Sequence, residues 1–501
     1  MVEVFLQGAL DLFAPTNFFA LFVGVLVGLF IGLIPAIGAI VGISLLLPVV
    51  YVLSPEVGLL FLIGLYSVVM TTGSIPAILM RVPGSPTNIV TTIDGYPMAQ
   101  KGEGARALGA ALTSSALGGI LSVPMAMLMI PVIIPVVLAM KSPETALLIL
   151  VGLSFLAVLG AGDKIKNLVA GFMGILVSLI GLQHSTGVYR YTFGSFYLID
   201  GISILLLALG IFAMAELFDL FLKGKATIAA PEAVRIGRRD LFQGIKDVFH
   251  HWWLWLRCTV IGYAIGVIPG IGGAVAIFIC YGHGVQSSKH PEQFGKGRVE
   301  GVIAPEAGNN SAVGGALLTT LGFGIPGDSV MAIILGAFLI VGIIPGSEML
   351  TERLELSSML IIGVALANII AAVICIPLIS TLAKVTIIPF KYLFSILLVV
   401  VMAAAPSVSR NIVDIFVLIP LGVFGLCMKR FGFSLPCFIL GFVLGGLFEH
   451  KLWLSLKIHG VLFFLSSPIC LVFIAILIAL FGYQPAKTAL SKRFRRGTKK
   501  A

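Results

Sequence analysis

Long apolar runs, separated by short polar or glycine- and proline-rich segments, recur along almost the whole chain. A transmembrane helix takes roughly 17 to 25 apolar residues, and most of the runs reach that length. Because the runs are continuous rather than alternating with polar positions, they predict helices and argue against a β-barrel. The pattern predicts an all-α polytopic membrane protein with about 10 to 14 transmembrane helices. The candidate spans lie near residues 17–34, 56–80, 105–123, 124–140, 143–160, 166–183, 198–222, 254–281, 330–346, 357–383, 386–405, 411–428, 434–449 and 457–482.

Two of these runs are interrupted in the same way, once in each half of the chain. The octets GLIPAIGA (residues 32–39) and GVIPGIGG (residues 266–273) share five identical positions at an offset of 234 residues. A second pair, RVPGSP (residues 81–86) and GIPGDS (residues 324–329), shares a Pro-Gly dipeptide at an offset of 243 residues. Since Pro and Gly weaken helices, both pairs predict broken or re-entrant helices in a duplicated architecture.

The composition is that of a membrane protein. Hydrophobic residues make up 59% of the chain and charged residues 11%, whereas soluble domains carry about 25% charged residues. The net charge of +10 is concentrated in the segment 223–257 and in the tail from Gln484 to Ala501. A charge confined to such loops does not indicate nucleic-acid binding. The positive-inside rule instead places both segments, and with them the C-terminus, in the cytoplasm.

Charge and motifs together predict an inverted repeat. The N-terminal region has no basic residue before Arg81, which favours the outer side of the membrane. The first half then crosses an odd number of times, and the second copy of the octet enters the membrane from the opposite side. The predicted organisation is a first membrane repeat at 1–222, a basic cytoplasmic linker at 223–257, a second membrane repeat at 258–456, an extra C-terminal helix at 457–482 and a basic cytoplasmic tail at 483–501.

The sequence contains no motif for enzymatic or metal chemistry. The six cysteines form no CxxC pair, the histidines have no metal-ligand spacing, and HExxH, P-loop and GxSxG motifs are absent. We therefore expect no catalytic residues, no resident metal and no cofactor. An intramembrane protease would need a nucleophile–base pair or an HExxH-type site, and the sequence offers neither.

The breaks predict a binding site near the membrane midplane. Broken helices expose N–H groups that favour anions and carbonyls that favour cations, and two breaks at equivalent places of two repeats mark such a site. The alternative is that Gly and Pro only kink or pack the helices. Small polar side chains near the breaks leave room for a ligand, and unwound backbone carbonyls would hold a cation. The candidate substrate- and ion-binding residues are Gly32, Pro35, Gly38, Arg81, Pro83, Gly84, Ser85, Thr87, Asn88, Gly266, Pro269, Gly272, Asn309, Asn310, Ser311, Pro326, Gly327 and Asp328.

Arg81 and Asp328 are the charges closest to the breaks. Ionisable residues at membrane depth are candidates for function, and the repeat positions bring the two near the same centre. Two interpretations stay open: the side chains form a salt bridge, or each reaches the membrane interface.

Seven motifs, in order from about residue 20 to 350, resemble the large membrane subunit of the tripartite tricarboxylate transporters, the TctA family. The final third of the chain resembles that family only in hydropathy. The motifs are GLIPAIG (32–38), PGSP (83–86), DGYPMAQKG (94–102), GVIPGIG (266–272), KHPEQFGKG (289–297), EGVIAPEAGNN (300–310) and GIPG (324–327).

The resemblance implies a secondary transporter that imports di- or tricarboxylates or related organic anions across the prokaryotic cytoplasmic (inner) membrane. It also implies two partners, a small four-helix membrane subunit and an extracytoplasmic solute-binding protein, and a coupling ion, often Na⁺ and otherwise H⁺. On family grounds the Gly-Pro breaks, Ser85–Asn88 and the pair Asn309–Asn310 belong to the site.

Three positions depart from the family pattern. Arg81 stands where the family usually has Asn, Ser85 where it often has Glu, and Asp328 where it usually has a small residue. These departures leave the substrate open, and citrate is one candidate among several. The sequence therefore predicts a cation-coupled carboxylate transporter. The alternative is a passive organic-anion channel or facilitator, which would work without a binding protein or an ion gradient.

Overall fold

The computed structural model describes residues 2–34, 37–159, 162–183, 186–223, 237–385, 390–409 and 411–481. In this part of the chain all regular structure is helical apart from one short hairpin. Among the described residues five helices are long and apolar enough to cross a membrane, which confirms an all-α polytopic membrane protein: Pro15–Leu33, Pro55–Met80, Gly104–Ala139, Leu354–Lys384 and Leu435–Ile458. Five shorter apolar helices are Gly38–Tyr51, Ser142–Val158, Ser329–Ile340, Leu397–Pro406 and Pro468–Phe481. The full number of crossings stays a prediction.

Packing divides the chain into two units, Met1–Val137 with Ser203–Phe431, and Leu138–Ile202 with Gly432–Ala501. The first unit begins with α1 (Val2–Leu12), α2 (Pro15–Leu33), α3 (Gly38–Leu46), α4 (Pro55–Thr72), α5 (Ser74–Met80), α6 (Thr91–Gln100) and α7 (Gly104–Ala139). The second unit begins with α8 (Ser142–Leu159), α9 (Lys164–Ser178), β1 (Gly181–Gln183) and β2 (Val188–Arg190). The first unit resumes with α10 (Ile204–Ala208), a π-helical turn (Leu209–Met214), α11 (Ala215–Lys223), α12 (Arg238–His250), α13 (Trp252–Gly266), α14 (Gly272–Ser287), α15 (Glu300–Phe323), α16 (Ser329–Ile340), α17 (Ser347–Leu350), α18 (Leu354–Val385), α19 (Phe390–Ser409) and α20 (Val413–Arg430). The second unit ends with α21 (Leu435–Ile458), α22 (Phe463–Ser466) and α23 (Pro468–Phe481).

The second unit is built around close contact between α9 and α21. A Cβ at Gly174 would lie 2.0 Å from Phe438 O, so the backbones of the two helices touch. Beside them, β1 and β2 pair antiparallel. Arg190 of β2 binds Glu449 of α21 through two nitrogen–oxygen contacts of 2.6 and 2.8 Å, and this bidentate geometry is a strong form of ion pair.

Both octets lie where one helix ends and the next begins. α2 ends at Leu33 and α3 begins at Gly38; α13 ends at Gly266 and α14 begins at Gly272. Gly38 and Gly272 have φ angles of +64° and +69°, in the left-handed region that only glycine adopts at little cost. The helices are therefore broken at equivalent positions in the two halves. Pro35, between α2 and α3, lies outside the described residues.

The helix pairs beside the two breaks repeat the same contacts. A Cβ at Gly28 of α2 would lie 2.6 Å from Leu65 O of α4. A Cβ at Gly262 of α13 would lie 2.5 Å from Gly308 O of α15. Gly28 and Gly262 are 234 residues apart, and Leu65 and Gly308 are 243 residues apart. These are the two offsets of the sequence motifs, so the duplication extends from motifs to packing.

The next helical turn of each pair repeats these backbone contacts. A Cβ at Gly32 would lie 3.0 Å from Val69 O, and one at Gly266 would lie 2.3 Å from Ala312 O. The offsets are again 234 and 243 residues. In both pairs small residues let helix backbones approach closely, as is common in membranes. The inverted orientation of the two halves stays a prediction.

Part of the predicted linker 223–257 belongs to the first unit, where α12 packs against the start of α7. A Cβ at Gly244 of α12 would lie 2.0 Å from Arg106 O at the start of α7, and Arg106 Nε donates to Asp247 Oδ2 over 2.5 Å. Residues 224–236 and the predicted tail at 483–501 lie outside the described residues. The first unit contains parts of both predicted repeats, and the domain boundaries stay predictions.

Candidate functional site

The loop after α5 folds back against the end of α4. α5 ends at Met80, and Arg81 adopts the left-handed conformation with φ 57°, which turns the chain. Gly84 then donates its N–H to the carbonyl of Gly73, the residue between α4 and α5, over 3.1 Å. A Cβ at Gly84 would lie 2.6 Å from both Gly73 Cα and Gly32 O. Three backbone segments meet here, and only glycine fits between them.

The residues after this loop present polar side chains to the interior. Ser85, Thr87 and Asn88 are buried, and Asn88 has no exposed surface. Thr87 Oγ1 lies 3.1 Å from Met70 Sδ, and Asn88 Nδ2 donates to the main-chain carbonyl of Met70 over 2.9 Å. These contacts fix the 3₁₀ turn Pro86–Asn88 against the last turns of α4.

One face of α15 forms the opposite wall. Glu306, Asn309 and Asn310 follow the spacing i, i+3, i+4, which puts them on the same side of a helix. Asn309 Nδ2 donates to the carbonyl of Met70 over 3.2 Å. That carbonyl also accepts from Asn88, so the motifs PGSPTN and APEAGNN meet at a single backbone oxygen of α4.

Asn310 extends the polar cluster towards α18. Its Nδ2 donates to Thr71 Oγ1 over 2.7 Å and to Asn368 Oδ1 over 2.5 Å. Ser115 of α7 donates to Thr71 Oγ1 over 3.4 Å. Asn310, Thr71, Ser115 and Asn368 are all buried, so four helices share one buried hydrogen-bond network.

Glu306 is the acidic group of the cluster. Its Oε1 accepts from Thr91 Oγ1 over 2.5 Å and from Asn88 Nδ2 over 3.4 Å. The side chain has no exposed surface. Among the described residues no Lys, Arg or His forms an ion pair with it. Neutral hydroxyl and amide donors are therefore its direct partners.

The second broken region repeats the design of the first. Gly324 ends α15 in the left-handed conformation with φ +65°. Gly270 N donates to Pro326 O over 3.2 Å. A Cβ at Gly327 would lie 2.5 Å from Ala316 Cα, which is the contact between Gly84 and Gly73 shifted by 243 residues. The two loops therefore fold back on equivalent positions, against the end of α4 in the first half and against α15 in the second.

Asp328 caps the helix that leaves the second break. Its Oδ1 accepts from Met331 N at the start of α16 over 2.8 Å, an arrangement that satisfies a free N–H and complements the helix dipole. Its Oδ2 accepts a hydrogen bond from the hydroxyl of Tyr66 in α4. A Cβ at Gly272 would lie 2.7 Å from Asp328 Cβ, so this loop also covers the start of α14.

The two broken regions adjoin one another. A Cβ at Gly273 of α14 would lie 3.4 Å from Thr87 Cγ2 and 4.0 Å from Asn309 O. The start of α14 therefore touches the polar turn of the first half. This contact and the Tyr66–Asp328 hydrogen bond tie both breaks into one site, which we call the central polar site.

Four buried oxygens of this site have no hydrogen-bond partner. They are Oδ1 of Asn88, Asn309 and Asn310, and Oε2 of Glu306. The Nδ2 group of each amide is engaged as a donor, which fixes the side on which its oxygen lies. Buried polar atoms without partners are rare in native proteins. The site is thus rich in free acceptors, which suits a cation, while the first turns of α3 and α14 offer N–H groups to an anion.

The structure brings some of the predicted site residues together. Ser85, Thr87, Asn88, Asn309 and Asn310 belong to the central polar site, and Asp328 joins them through Tyr66. Gly38, Gly84, Gly272, Pro326 and Gly327 form the turns around it. Pro83 and Pro269 lie half-buried in the same bends.

Other predicted residues lie elsewhere. Ser311 Oγ donates to Gly308 O of its own helix over 3.2 Å and faces Gly262 of α13. Arg81 is exposed, with its guanidinium 5.8 Å from the centre of the Tyr96 ring. It forms no ion pair with Asp328 among the described residues, so the salt-bridge interpretation is not realised. Gly32 and Gly266 make the backbone contacts described above, as the packing alternative expects.

Five polar residues of the site were not among the candidates. Each lies within an apolar run or beside a motif. The presence of a polar residue inside a predicted span could therefore have identified them from the sequence. Glu306 was recognised only as part of APEAGNN, because nothing in the sequence identifies its partners. The five are Tyr66, Thr71, Thr91, Glu306 and Asn368.

Asp94 joins two of the loop motifs. Its Oδ1 accepts from Gly297 N and Arg298 N, each over 2.9 Å, and its Oδ2 accepts from the hydroxyl of Tyr281 over 2.9 Å. Lys101 Nζ adds a 2.5 Å contact to Lys296 O. The motif DGYPMAQKG, at the end of α6, is therefore hydrogen-bonded to the connection before α15, which contains KHPEQFGKG.

The chain is similar in sequence to known proteins. The sequence profile described as "Tripartite tricarboxylate transporter TctA family" matches residues 18–440. The "Uncharacterized 52.8 kDa protein in TAR-I ttuC' 3'region" of Agrobacterium vitis is 33% identical over 466 residues, which cover 92% of each chain. The "Uncharacterized protein in TAR-II ttuC' 3'region" of the same organism is 35% identical over 191 residues, 38% of this chain and 79% of that protein. No solved structure matches.

Proposed function

This chain belongs to the TctA family of tripartite tricarboxylate transporters, and from that premise we propose that it is the large transmembrane subunit of an ion-driven importer of organic anions. The substrates are di- or tricarboxylates or related compounds. Na⁺ is the proposed coupling ion. The family is one of transporters, which favours transport over catalysis.

The observation that carries this proposal is the convergence of the two broken regions on one buried polar site. The starts of α3 and α14 lie against the loops Gly84–Ser85 and Gly327–Asp328. Helix starts carry partial positive charge and free N–H groups, which favour a carboxylate. Ser85, Thr87 and the amides of α15 add groups that hydrogen-bond oxygen. Binding at the meeting point of two repeats is the pattern of secondary transporters.

The burial of this site favours a carrier over a passive channel. Asn88, Asn309 and Asn310 are each at most 1% exposed, whereas a channel needs a continuous wet path lined by such groups. A closed site must open alternately to each side, and in transporters this occurs by movement of one bundle against another. A facilitator remains the second candidate function, and the uptake experiment separates the two.

The protein would act with partners in the prokaryotic cytoplasmic membrane. We propose a small four-helix membrane subunit and an extracytoplasmic solute-binding protein that delivers the anion, with the basic C-terminal tail in the cytoplasm. The family description names a tripartite system, and the apolar helices support multi-pass insertion.

The test is uptake of labelled carboxylates into proteoliposomes that contain this chain and candidate partner subunits from neighbouring reading frames. We expect accumulation above equilibrium with an inward Na⁺ gradient and an external binding protein, and none with K⁺ in place of Na⁺. Accumulation driven by a proton gradient alone would support a coupled carrier in which H⁺, instead of Na⁺, is the coupling ion. Equilibration without any gradient would contradict a coupled transporter and favour the facilitator.

A further inference from the structure

Helix α12 has two faces of different character. Leu241, Gly244 and Val248 are buried, and their spacing i, i+3, i+7 places them on one side of the helix. A Cβ at Gly109 of α7 would lie 2.2 Å from Leu241 O, and one at Gly244 would lie 2.0 Å from Arg106 O. This face therefore packs directly on the backbone of α7, which fixes the side chains that α12 directs away from the protein.

An ion pair fixes the same orientation. Arg106 Nε donates to Asp247 Oδ2 over 2.5 Å, and Gln243 Nε2 donates to Asp247 Oδ1 over 3.0 Å. Asp247 is 6% exposed, so one of the two acids of α12 is neutralised by a cation of α7. The other acid, Asp240, lies four residues before Gly244 and therefore beside the packed face.

The outward face of α12 carries aromatic rings beside basic groups. Phe242 and Phe249 are seven residues apart, which places them on one stripe of the helix, and they are 57% and 60% exposed. Arg239 and Lys246 have the same spacing and are also exposed. Lys246 follows Phe242 by four residues, so the two stripes are neighbours. Among the described residues neither Arg239 nor Lys246 forms an ion pair.

The start of α13 continues this aromatic pattern. Only His251 separates α12 from α13, and the first two residues of α13, Trp252 and Trp253, are 56% and 55% exposed. The guanidinium of Arg257 lies 5.9 Å from the centre of the Trp253 ring. Tryptophan is enriched where a membrane span meets the headgroup region. The aromatic residues of α12 therefore lie next in the chain to a segment typical of the membrane interface.

We propose that the outward face of α12, formed by Arg239, Phe242, Lys246 and Phe249, lies in the plane of the membrane interface and binds the phosphate groups of anionic phospholipids. At this depth aromatic rings enter the boundary between headgroups and acyl chains, while Arg and Lys beside them reach the phosphates. The chain leading into this face, residues 223–239, adds to the charge, with five basic residues and one acid.

The chemistry of this face favours lipid over a protein partner. Interfaces between proteins are depleted in lysine, whereas exposed phenylalanine next to uncompensated basic residues is the composition of helices that lie on anionic membranes. The net positive charge selects anionic over zwitterionic headgroups. The proposal depends on the packing and charge of α12 and on membrane insertion of the chain, and it does not depend on the transported substrate.

The experiment uses tryptophan fluorescence of the full-length chain in lipid bilayers. The chain has four tryptophans, and three of them, Trp252, Trp253 and Trp255, lie at the start of α13; Trp453→Phe in every protein leaves these three as reporters. All bilayers contain the same minor fraction of phosphatidylglycerol in phosphatidylcholine. Bromine, which quenches tryptophan, is carried either by the phosphatidylglycerol or by an equal amount of the phosphatidylcholine. The ratio of the two quenching efficiencies measures the preference for the anionic lipid.

We expect stronger quenching by brominated phosphatidylglycerol, and a preference that falls as salt screens the charges. Arg239→Gln with Lys246→Gln should lower the preference by about fivefold or more, because each basic group near an anionic surface contributes about that factor. Quenching by brominated phosphatidylcholine should stay unchanged, which shows that the helix remains in place. Arg239→Lys with Lys246→Arg keeps both charges and should keep the preference.

The matched control removes two basic residues from the connection before α15. Lys289 and Lys296 are exposed, and this connection ends beside α13, where His251 Nε2 lies 3.9 Å from Glu300 Oε1. Lys289→Gln with Lys296→Gln therefore changes the net charge by the same amount near the same end of α13. It should leave the preference for phosphatidylglycerol as in the protein without these changes.

Three results would overturn the proposal. Equal quenching by the two lipids before any change in α12 would show that the face does not select anionic lipid, and would leave a protein partner as its occupant. A preference that persists in Arg239→Gln with Lys246→Gln would place the bound lipid elsewhere. An equal loss in the control at Lys289 and Lys296 would assign the effect to net charge instead of to this face.

Discussion

The hydroxyl of Tyr66 donates a hydrogen bond to Asp328 Oδ2, and this contact joins a helix of the first predicted repeat to the broken segment of the second. Asn309 lies 243 residues after Tyr66, and Asp328 lies 243 residues after Ser85. The residues equivalent to Tyr66 and Asp328 are therefore Asn309 and Ser85, which lie in the same site on either side of Met70. The two halves therefore place residues at equivalent positions of the central polar site, but the paired side chains are of different chemical types.

Tyr66→Phe removes this one hydrogen bond and little volume. A hydrogen bond to a charged group contributes roughly 1.5 to 3 kcal/mol, so we expect a lower melting temperature and uptake reduced by about tenfold or more. Circular dichroism and proteoliposome uptake measure the two effects. The control is Tyr51→Phe, at a residue that is 47% exposed. An equal loss of uptake and of melting temperature in this variant would show that Tyr66 has no special role.

Asn88→Ala and Asn310→Ala should abolish uptake and leave membrane insertion intact. Each substitution removes one donor to a buried acceptor, the Met70 carbonyl in one case and Asn368 Oδ1 in the other, and each removes a free amide oxygen. The measurement is uptake normalised to the amount of inserted protein. Ser311→Ala, at a hydroxyl of α15 that donates to Gly308 O of its own helix, should transport normally. Normal transport in Asn88→Ala or Asn310→Ala would exclude that residue from the site.

Asp94→Asn should loosen the connection before α15. The variant weakens the hydrogen bonds to Gly297 N and Arg298 N, and bonds to an ionised group are about twice as strong as neutral ones. We expect faster proteolytic cleavage within residues 288–299 at unchanged insertion. The control is Glu292→Gln in the same segment, at a side chain that is 63% exposed. This variant should be cleaved at the wild-type rate. Equal cleavage rates in all three proteins would mean that Asp94 does not hold this segment.

Gly28→Ala and Gly262→Ala should destabilise the protein to a similar degree, because both place a methyl group against helix backbone, 2.6 Å from Leu65 O and 2.5 Å from Gly308 O. Overpacking of this kind costs about 1 to 3 kcal/mol. Thermal unfolding in detergent measures it. The control is Gly282→Ala on α14, where a Cβ meets nothing within 4 Å; it should be neutral or stabilising. Destabilisation in only one of the two halves would argue against equivalent packing.

The sequence predicted the parts of this site that depend on local backbone chemistry. Pro and Gly at the octets indicated the breaks, and the two offsets anticipated which residues correspond. Asn88 and Asn309 were identifiable because amides beside glycines in an apolar run are unusual. Glu306, Tyr66 and Asn368 could not be assigned in this way, since their roles depend on partners up to 262 residues away. Arg81 was misleading for the same reason: its nearness in sequence to the break did not turn its side chain inward.

The two offsets differ by nine residues, and the extra length lies between Gly272 and Gly308, where the second half carries the connection that Asp94 holds. The first half has only a 3₁₀ turn and three residues, Val52 to Ser54, before α4. In the proposed inverted arrangement the two copies lie at opposite ends of the transport path, so this connection distinguishes one end from the other. In the proposed transporter the ion gradient sets the direction of net uptake. In the proposed carrier we expect this connection to influence which side the empty protein faces, so shortening the insertion should shift that preference without changing the driving force.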